Sequence, residues 1–172
     1  MSRQLFFRTA TLADLPRLLE LINTAYKGLA HETWAIDMGL PDLPRVTHES
    51  LTRDLTRATS SIVIGIMDNM PVVCAQLDEE DDGEGYFGLF AVAPTHQGLG
   101  LGKRMLQEAE RRHAAQGKTR LRLAVIRPRT HLFTWYERFG FKCTGHSRVF
   151  YPGEDIAPLP MDLMEKSLRH AA

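Results

Sequence analysis

The 172-residue chain has only two cysteines, Cys74 and Cys143, both in apolar surroundings, which argues against a disulfide framework or a cysteine-built metal cluster. Its seven histidines show no metal-ligand spacing with cysteine or acidic residues, so no metal is expected. Net charge is absent as well. With 21 basic and 21 acidic residues, the chain lacks the global excess that a nucleic-acid-binding protein carries. No apolar run approaches membrane-spanning length, and Met1-Ser2-Arg3-Gln4 lacks the apolar core of a signal peptide. The expectation is a cytoplasmic protein with no membrane contact. Internal repeats and linkers are also missing. At 44% hydrophobic content, residues 1–172 read as a single domain around one well-buried core.

What is present is an alternation of strand-like and helical segments. Residues 3–10 read as a strand, and Thr11 with Asp14 reads as a capping-box variant opening a helix over 12–26, closed by Gly28. Residues 28–48 are irregular, broken by Gly39, Pro41 and Pro44, and a short helix is expected at 48–58. Ser61–Met67 and Pro71–Leu77 are β-rich runs joined by a hairpin turn at Asp68-Asn69-Met70, and Tyr86–Ala93 is a third strand of the same meander. A helix over 99–116, a strand at 121–125, a short helix over 130–139 and a strand at Phe141–Tyr151 follow. Met161–Leu168 reads as a last strand or a mixed terminal segment.

Charge is uneven locally. Asp78, Glu79, Glu80, Asp81, Asp82 and Glu84 form an acidic run without a base, read as a solvated turn or as an attractant for a cationic ligand. From Gln97 to Thr130 nine bases face only Glu108 and Glu110, an excess that suits a phosphate-rich ligand or a solvated helix face.

Gln97-Gly98-Leu99-Gly100-Leu101-Gly102 lies between the third meander strand and the long helix. Its glycines leave main-chain amides unshielded, and the first amides of a helix lack internal partners at the positive end of its dipole. Such a loop suits phosphates. A P-loop is excluded, because Gln97 stands at its first glycine and Arg104 at the hydroxyl position. The dinucleotide fingerprint fails too: counted from Gly98 or from Gly100, its third glycine falls on Lys103 or Met105.

Gln97-x-x-Gly100-x-Gly102, preceded by Phe90-Ala91-Val92-Ala93-Pro94, resembles the acyl-CoA-binding motif of the Gcn5-related N-acetyltransferase (GNAT) superfamily. Trp135-Tyr136-Glu137-Arg138-Phe139-Gly140-Phe141 is similar to a second segment of that family, and the order of elements agrees over nearly the whole chain. The resemblance implies an α/β GNAT-like fold: a mixed, mostly antiparallel central sheet of six or seven strands flanked by helices, splayed between the strands at 86–93 and 120–126. It implies acetyl-CoA as co-substrate, its diphosphate on the amides of Gly98, Leu99, Gly100, Leu101, Gly102 and Lys103, and its pantetheine arm along Phe90, Ala91 and Val92. Gln97, Arg129 and Phe133 complete the implied cofactor contacts.

Tyr136 matches the tyrosine that donates a proton to the departing thiolate, the other reading being a packing tyrosine. Arg129 stands where the family often has asparagine, and either binds a phosphate or faces solvent. Several members carry a catalytic glutamate in the meander strand; Tyr86 occupies that position here. A primary amine of pKa about 10.4 is mostly protonated at pH 7, and removing its proton costs roughly 4–5 kcal/mol. Glu84, Tyr86 or a water chain is left to relay it. Tyr26, Glu32, Trp34 and Arg45 border the acceptor side, by cation–π contact or charge pairing, although Tyr26 and Trp34 also suit a local core. The expected activity is acetyl transfer to a primary amine of a small molecule by direct attack in a ternary complex. A non-catalytic acyl-CoA sensor and a protein N-terminal or lysine acetyltransferase are the alternatives, and homodimers are frequent among proteins of this resemblance.

Overall fold

A computed structural model describes residues 4–27, 32–37, 39–40, 42–152 and 155–168. The first strand, β1 (Phe6–Thr9), leads into a 3-10 turn, Leu12–Asp14, and then α1 (Leu15–Tyr26). The Thr11 amide donates to Asp14 Oδ2 at 2.8 Å, so the expected box is present, one turn ahead of the α-helix proper. Leu18 and Ile22, one turn apart, are fully buried, and this stripe docks α1 on the sheet. Gly28, expected to end this helix, lies outside the described residues. Within the irregular stretch sits one short helix, α2 (Thr33–Asp37). In α3 (His48–Thr56) Thr47 caps the first turn, its hydroxyl accepting from the Ser50 amide at 3.1 Å.

The meander follows as β2 (Ser60–Met67), β3 (Met70–Glu79) and β4 (Gly85–Val92). Asp68 and Asn69 take φ values of 51° and 62°, the left-handed pair of a tight two-residue hairpin. Ile62, Ile64 and Ile66 pack toward α1 and α3, whereas Val63 and Met67 pack toward the opposite face. Burial on both faces explains the nearly unbroken apolar run of β2.

The remaining elements are α4 (Leu101–Ala115), β5 (Arg120–Ile126), α5 (Thr130–Glu137), β6 (Lys142–Phe150) and β7 (Leu159–Ser167). The helix expected from residue 99 begins at Leu101 because Gly100, at φ +74°, cannot belong to a right-handed helix. The C-terminal segment is a strand. It inserts between β5 and β6, giving a seven-stranded sheet in the order β1-β2-β3-β4-β5-β7-β6. All neighbours are antiparallel except β4 and β5. One core lies between the sheet and α4, around Met105, Leu106, Leu121, Leu123 and Phe141; the second lies under α1 and α3, around Leu18, Ile22 and Leu51.

Candidate active site

The parallel pair is short. Gly85 pairs with Leu121 and Tyr86 with Arg122, and beyond that point β4 and β5 separate. The opening is a cavity of about 830 Å³ that passes between the two faces of the sheet. The glycine loop, α4 and Trp135 border it on one face, and Tyr26 and Arg45 on the other. That volume suits a sizeable organic ligand.

A bulge in β4 shapes the opened edge. The β3–β4 register shifts between Cys74 and Gln76, and Leu89 takes a left-handed φ of 44°. As a result Phe90 and Val92 pack toward α4, while Leu89 and Ala91 pack toward α1. The Ala93 amide donates to Val72 of β3 at 2.8 Å. Strand alternation then turns the main-chain groups of Ala91 to β3 and those of Phe90 and Val92 to the gap. The Phe90 carbonyl is already met there by the Tyr26 hydroxyl at 2.9 Å.

Gly98 and Gly100 have φ values of 78° and 74°, and a Cβ on either would meet nothing within 4 Å, so the loop offers an open backbone surface to the cavity. The first bond of α4 runs from the Arg104 amide to the Gly100 carbonyl at 3.2 Å, which leaves the amides of Leu101, Gly102 and Lys103 ahead of it without helical partners. Gly102 differs from the other two. A Cβ there would stand 3.0 Å from Phe90 Cζ and 3.3 Å from Trp135 Cζ2. Those two rings stack with centroids 6.0 Å apart, so Gly102 is the residue that lets α4 seat on an aromatic wall.

Three tyrosines and an arginine converge where the strands part. Tyr26, Tyr86 and Tyr136 all line the cavity, and burial raises the pKa of each phenol, so all three stay protonated at neutral pH. Ionising Tyr136 is opposed further by Tyr26 and Tyr86. The positive charge of Arg129, which lines the same cavity, acts in the other direction on both Tyr26 and Tyr136. Its Nε is buried and has no hydrogen-bond partner. Among the described residues no three His, Cys, Asp or Glu side chains form a metal site.

The model of the acetyltransferase (GNAT) family matches residues 18–141, well over half of the chain. The chain belongs to the GNAT family. No curated protein sequence matches it significantly. Among solved structures it is similar to the ribosomal-protein-S18-alanine N-acetyltransferase of Escherichia coli, with a TM-score of 0.75 and 18% identity over 98% of this chain and 97% of that one. The PaiA N-acetyltransferase of Thermoplasma acidophilum, solved with coenzyme A, gives 0.73 and 19% over 95% and 99%. YncA of Salmonella typhimurium, a putative acetyltransferase solved with acetyl-CoA, gives 0.67 and 18% over 98% and 96%. At these identities the likeness establishes the fold: the seven-stranded sheet with its parted parallel pair is the GNAT architecture.

Against this GNAT frame the expected site residues divide. Phe90, Val92, Gln97, Gly98, Gly100, Leu101, Gly102, Lys103 and Arg129 border the cavity, as do Tyr26, Glu32, Tyr86 and Tyr136. Ala91 presents its main chain to β3, and Leu99 points outward, 61% exposed. Phe133 packs on the α4-side core, while Leu132 and Trp135 of the same helix reach the cavity instead. The side chain of Trp34 lies outside the described residues. Arg129, expected at a phosphate or in solvent, lines the cavity with its Nε buried.

Glu84 is not brought to the site. Its carboxylate accepts from the Thr119 hydroxyl at 2.6 Å, the Thr119 amide at 3.1 Å and the Arg120 amide at 2.7 Å. Desolvation works to raise its pKa, but these hydrogen bonds together hold it below the ordinary value. Glu84 pins β4 to β5 at the closed end of the splay. The rest of the acidic run does similar work. Arg122 pairs with Glu80, Asp82 and Glu165, Arg148 with Glu80, Arg57 with Asp78 and Lys118 with Glu79. The run thus ties the end of β3 and the β3–β4 turn to their neighbours. It pairs with Lys118, Arg120 and Arg122 of the nearby basic stretch, whereas Arg111 and Arg112 pair with Glu108 and Arg127 with Asp162. Lys103 and Arg129 are the bases of that stretch that reach the cavity.

Sequence reasoning missed Trp135 as a cavity wall, although it adjoins Tyr136 in the second motif. Phe150 and Met161 were missed as well. They come from β6 and β7, whose place in the sheet no local pattern announces.

Proposed function

We propose that the protein transfers the acetyl group of acetyl-CoA to a primary amine of a small molecule, by direct attack in a ternary complex. The observation that carries this reading is one continuous cavity joining a phosphate-competent loop on one face of the sheet to a cluster of protonated phenols at the parting of β4 and β5. A donor lying in the gap meets both. The amides of Leu101, Gly102 and Lys103 and the open glycine backbone receive the diphosphate, each such contact being worth roughly 0.3–1 kcal/mol. The outward-turned main-chain groups of Phe90 and Val92 pair with the pantetheine arm and orient the thioester.

The neutral amine nitrogen attacks the thioester carbon, the carbon–sulfur bond breaks, and the proton that the nitrogen gives up ends on the departing thiolate through solvent, leaving the amide and the free thiol of CoA. Tyr136 is the donor to the departing sulfur. A free thiol has a pKa near 8.5, below that of this buried phenol, so full proton transfer from Tyr136 is uphill. Its contribution is a hydrogen bond to the developing thiolate. Among the described residues no serine, threonine or cysteine lines the cavity beside the tyrosines, which supports direct attack over an acyl-enzyme. Burial pushes the Cys74 thiol to about 12 and leaves it inert. Two free cysteines, one of them exposed, suit the reducing cytoplasm we propose as the location.

Thiol release from acetyl-CoA across a panel of amines and peptides tests the reading. Turnover with small amines is expected. Tight acetyl-CoA binding without turnover on any acceptor would instead assign the protein as a sensor, and turnover confined to peptides would make it a protein acetyltransferase.

A further inference from the structure

The acceptor side of the cavity contains an arrangement that the transfer step itself does not use. Arg129 precedes the first turn of α5 as its N-cap residue, and its buried Nε donor has no partner. An unpaired buried donor carries an uncompensated desolvation cost, larger when it is charged, so a ligand acceptor there recovers a penalty already present in the fold. Across the opening, the Arg45 guanidinium lies 5.5 Å from the Tyr26 ring centroid and 5.2 Å from that of Phe150. A guanidinium has five N–H donors, so one that rests against two rings and reaches the Tyr26 hydroxyl keeps others for a ligand. Lys27 adds a third cation to this side, against the carboxylates of Glu32 and Asp42, each of which already has an interaction partner. Around these charges the lining is apolar, with Leu40, Phe150, Leu159 and Met161.

Resting on the acetyl-transfer reading, we propose that the acceptor carries a carboxylate beside its amine and an apolar body, as an α-amino acid with a hydrophobic side chain does, and that Arg129 and Arg45 bind that carboxylate. Two forked cations matched to a planar anion fix the acceptor's orientation, and with it the approach of the amine to the thioester. The apolar lining takes the side chain. A polycationic acceptor meets the opposite: two arginines at the point of entry, in a setting where like charges disfavour binding.

The test compares kcat/KM for L-leucine, L-phenylalanine and L-methionine with their carboxamides, and with spermidine, in the wild type, Arg129→Gln and Arg45→Gln. The free acids should exceed the carboxamides by at least about tenfold, as loss of one charge-assisted hydrogen bond implies. Arg129→Gln should erase that preference through KM for the acid, with KM for acetyl-CoA unchanged. Arg129→Lys, which keeps the charge but not the fork, should restore part of it and separates loss of the charge from a change of packing at the start of α5. Carboxamides or spermidine used as well as the acids would overturn the inference while leaving acetyl transfer intact, and so would a preference that survives both glutamine substitutions. No acetylation of any amine, despite bound acetyl-CoA, would remove the transfer reading and this inference together.

Discussion

In the reaction we propose, Tyr136 contributes by keeping its proton. It is buried between Trp135 and Phe141, with ring centroids 4.9 Å and 5.8 Å away, and its phenol stays neutral at the pH of the reaction. Tyr136→Phe preserves that packing and deletes only the donor. It should lower kcat by about 10²-fold and change KM for acetyl-CoA by no more than about twofold, as steady-state kinetics will read. An unchanged kcat would leave Tyr136 as a packing residue. Gly102 makes a complementary case. Alanine there gains about 0.5–1 kcal/mol of helix stability, while its Cβ presses on Phe90 and Trp135 at 3.0 and 3.3 Å. Both rings border the cavity, so the strain moves them into it. Gly102→Ala should hold thermal stability nearly constant and raise the KM for acetyl-CoA several-fold. A stability loss with KM intact would show the wall to be rigid and separate from the donor site.

At the scale of elements, the register of β4 on β5 sets the geometry, and α4 braces it with an unusual contact. His113 is 2% exposed, neither of its ring nitrogens has a hydrogen-bond partner, and a Cβ on Gly85 would stand 2.6 Å from its Nδ1. Burial lowers its pKa, so the folded protein holds it neutral. Its contribution to stability is complete above the unfolded-chain value of about 6.5 and is lost as pH falls through the lower folded value. The wild-type Tm should therefore decline between about pH 7 and pH 5, and His113→Leu should flatten that decline whatever it does to the absolute Tm. Equal slopes in the two proteins would exclude His113 as the source.

This scale also separates what could be read in the sequence from what could not. Alternation, caps and turn residues located the strands and the helices other than α2 to within a few residues, with the last segment left as a strand or a mixed one, and the glycine spacing located the loop. Glu84 was misread because nearness in sequence to the strand says nothing of direction. One residue before Gly85, it lies at the closed end of the splay, where the amides of Thr119 and Arg120 hold it. Ala91 was misassigned because the bulge at Leu89 and the bond from Ala93 to Val72 decide which main-chain groups face the gap. Neither feature has a local signature.

On the scale of the whole molecule, the acidic and basic runs that look unbalanced along the chain meet across the sheet, where they fasten β3, β4, β5 and β6 at one end. Fastening there is what allows β4 and β5 to part at the other end, with two cores holding the faces apart. Arg45 and Arg129 are left inside the opening, where we propose that they meet the acceptor. The position of the donor decides whether the loop and the tyrosines act on one ligand, and a crystal structure with bound CoA tests that most directly. It should find the diphosphate on the amides between Gly98 and Lys103 and the pantetheine arm along Phe90 and Val92, its sulfur within hydrogen-bond reach of the Tyr136 hydroxyl. CoA bound outside the β4–β5 gap, or with its sulfur turned away from Tyr136, would contradict that placement.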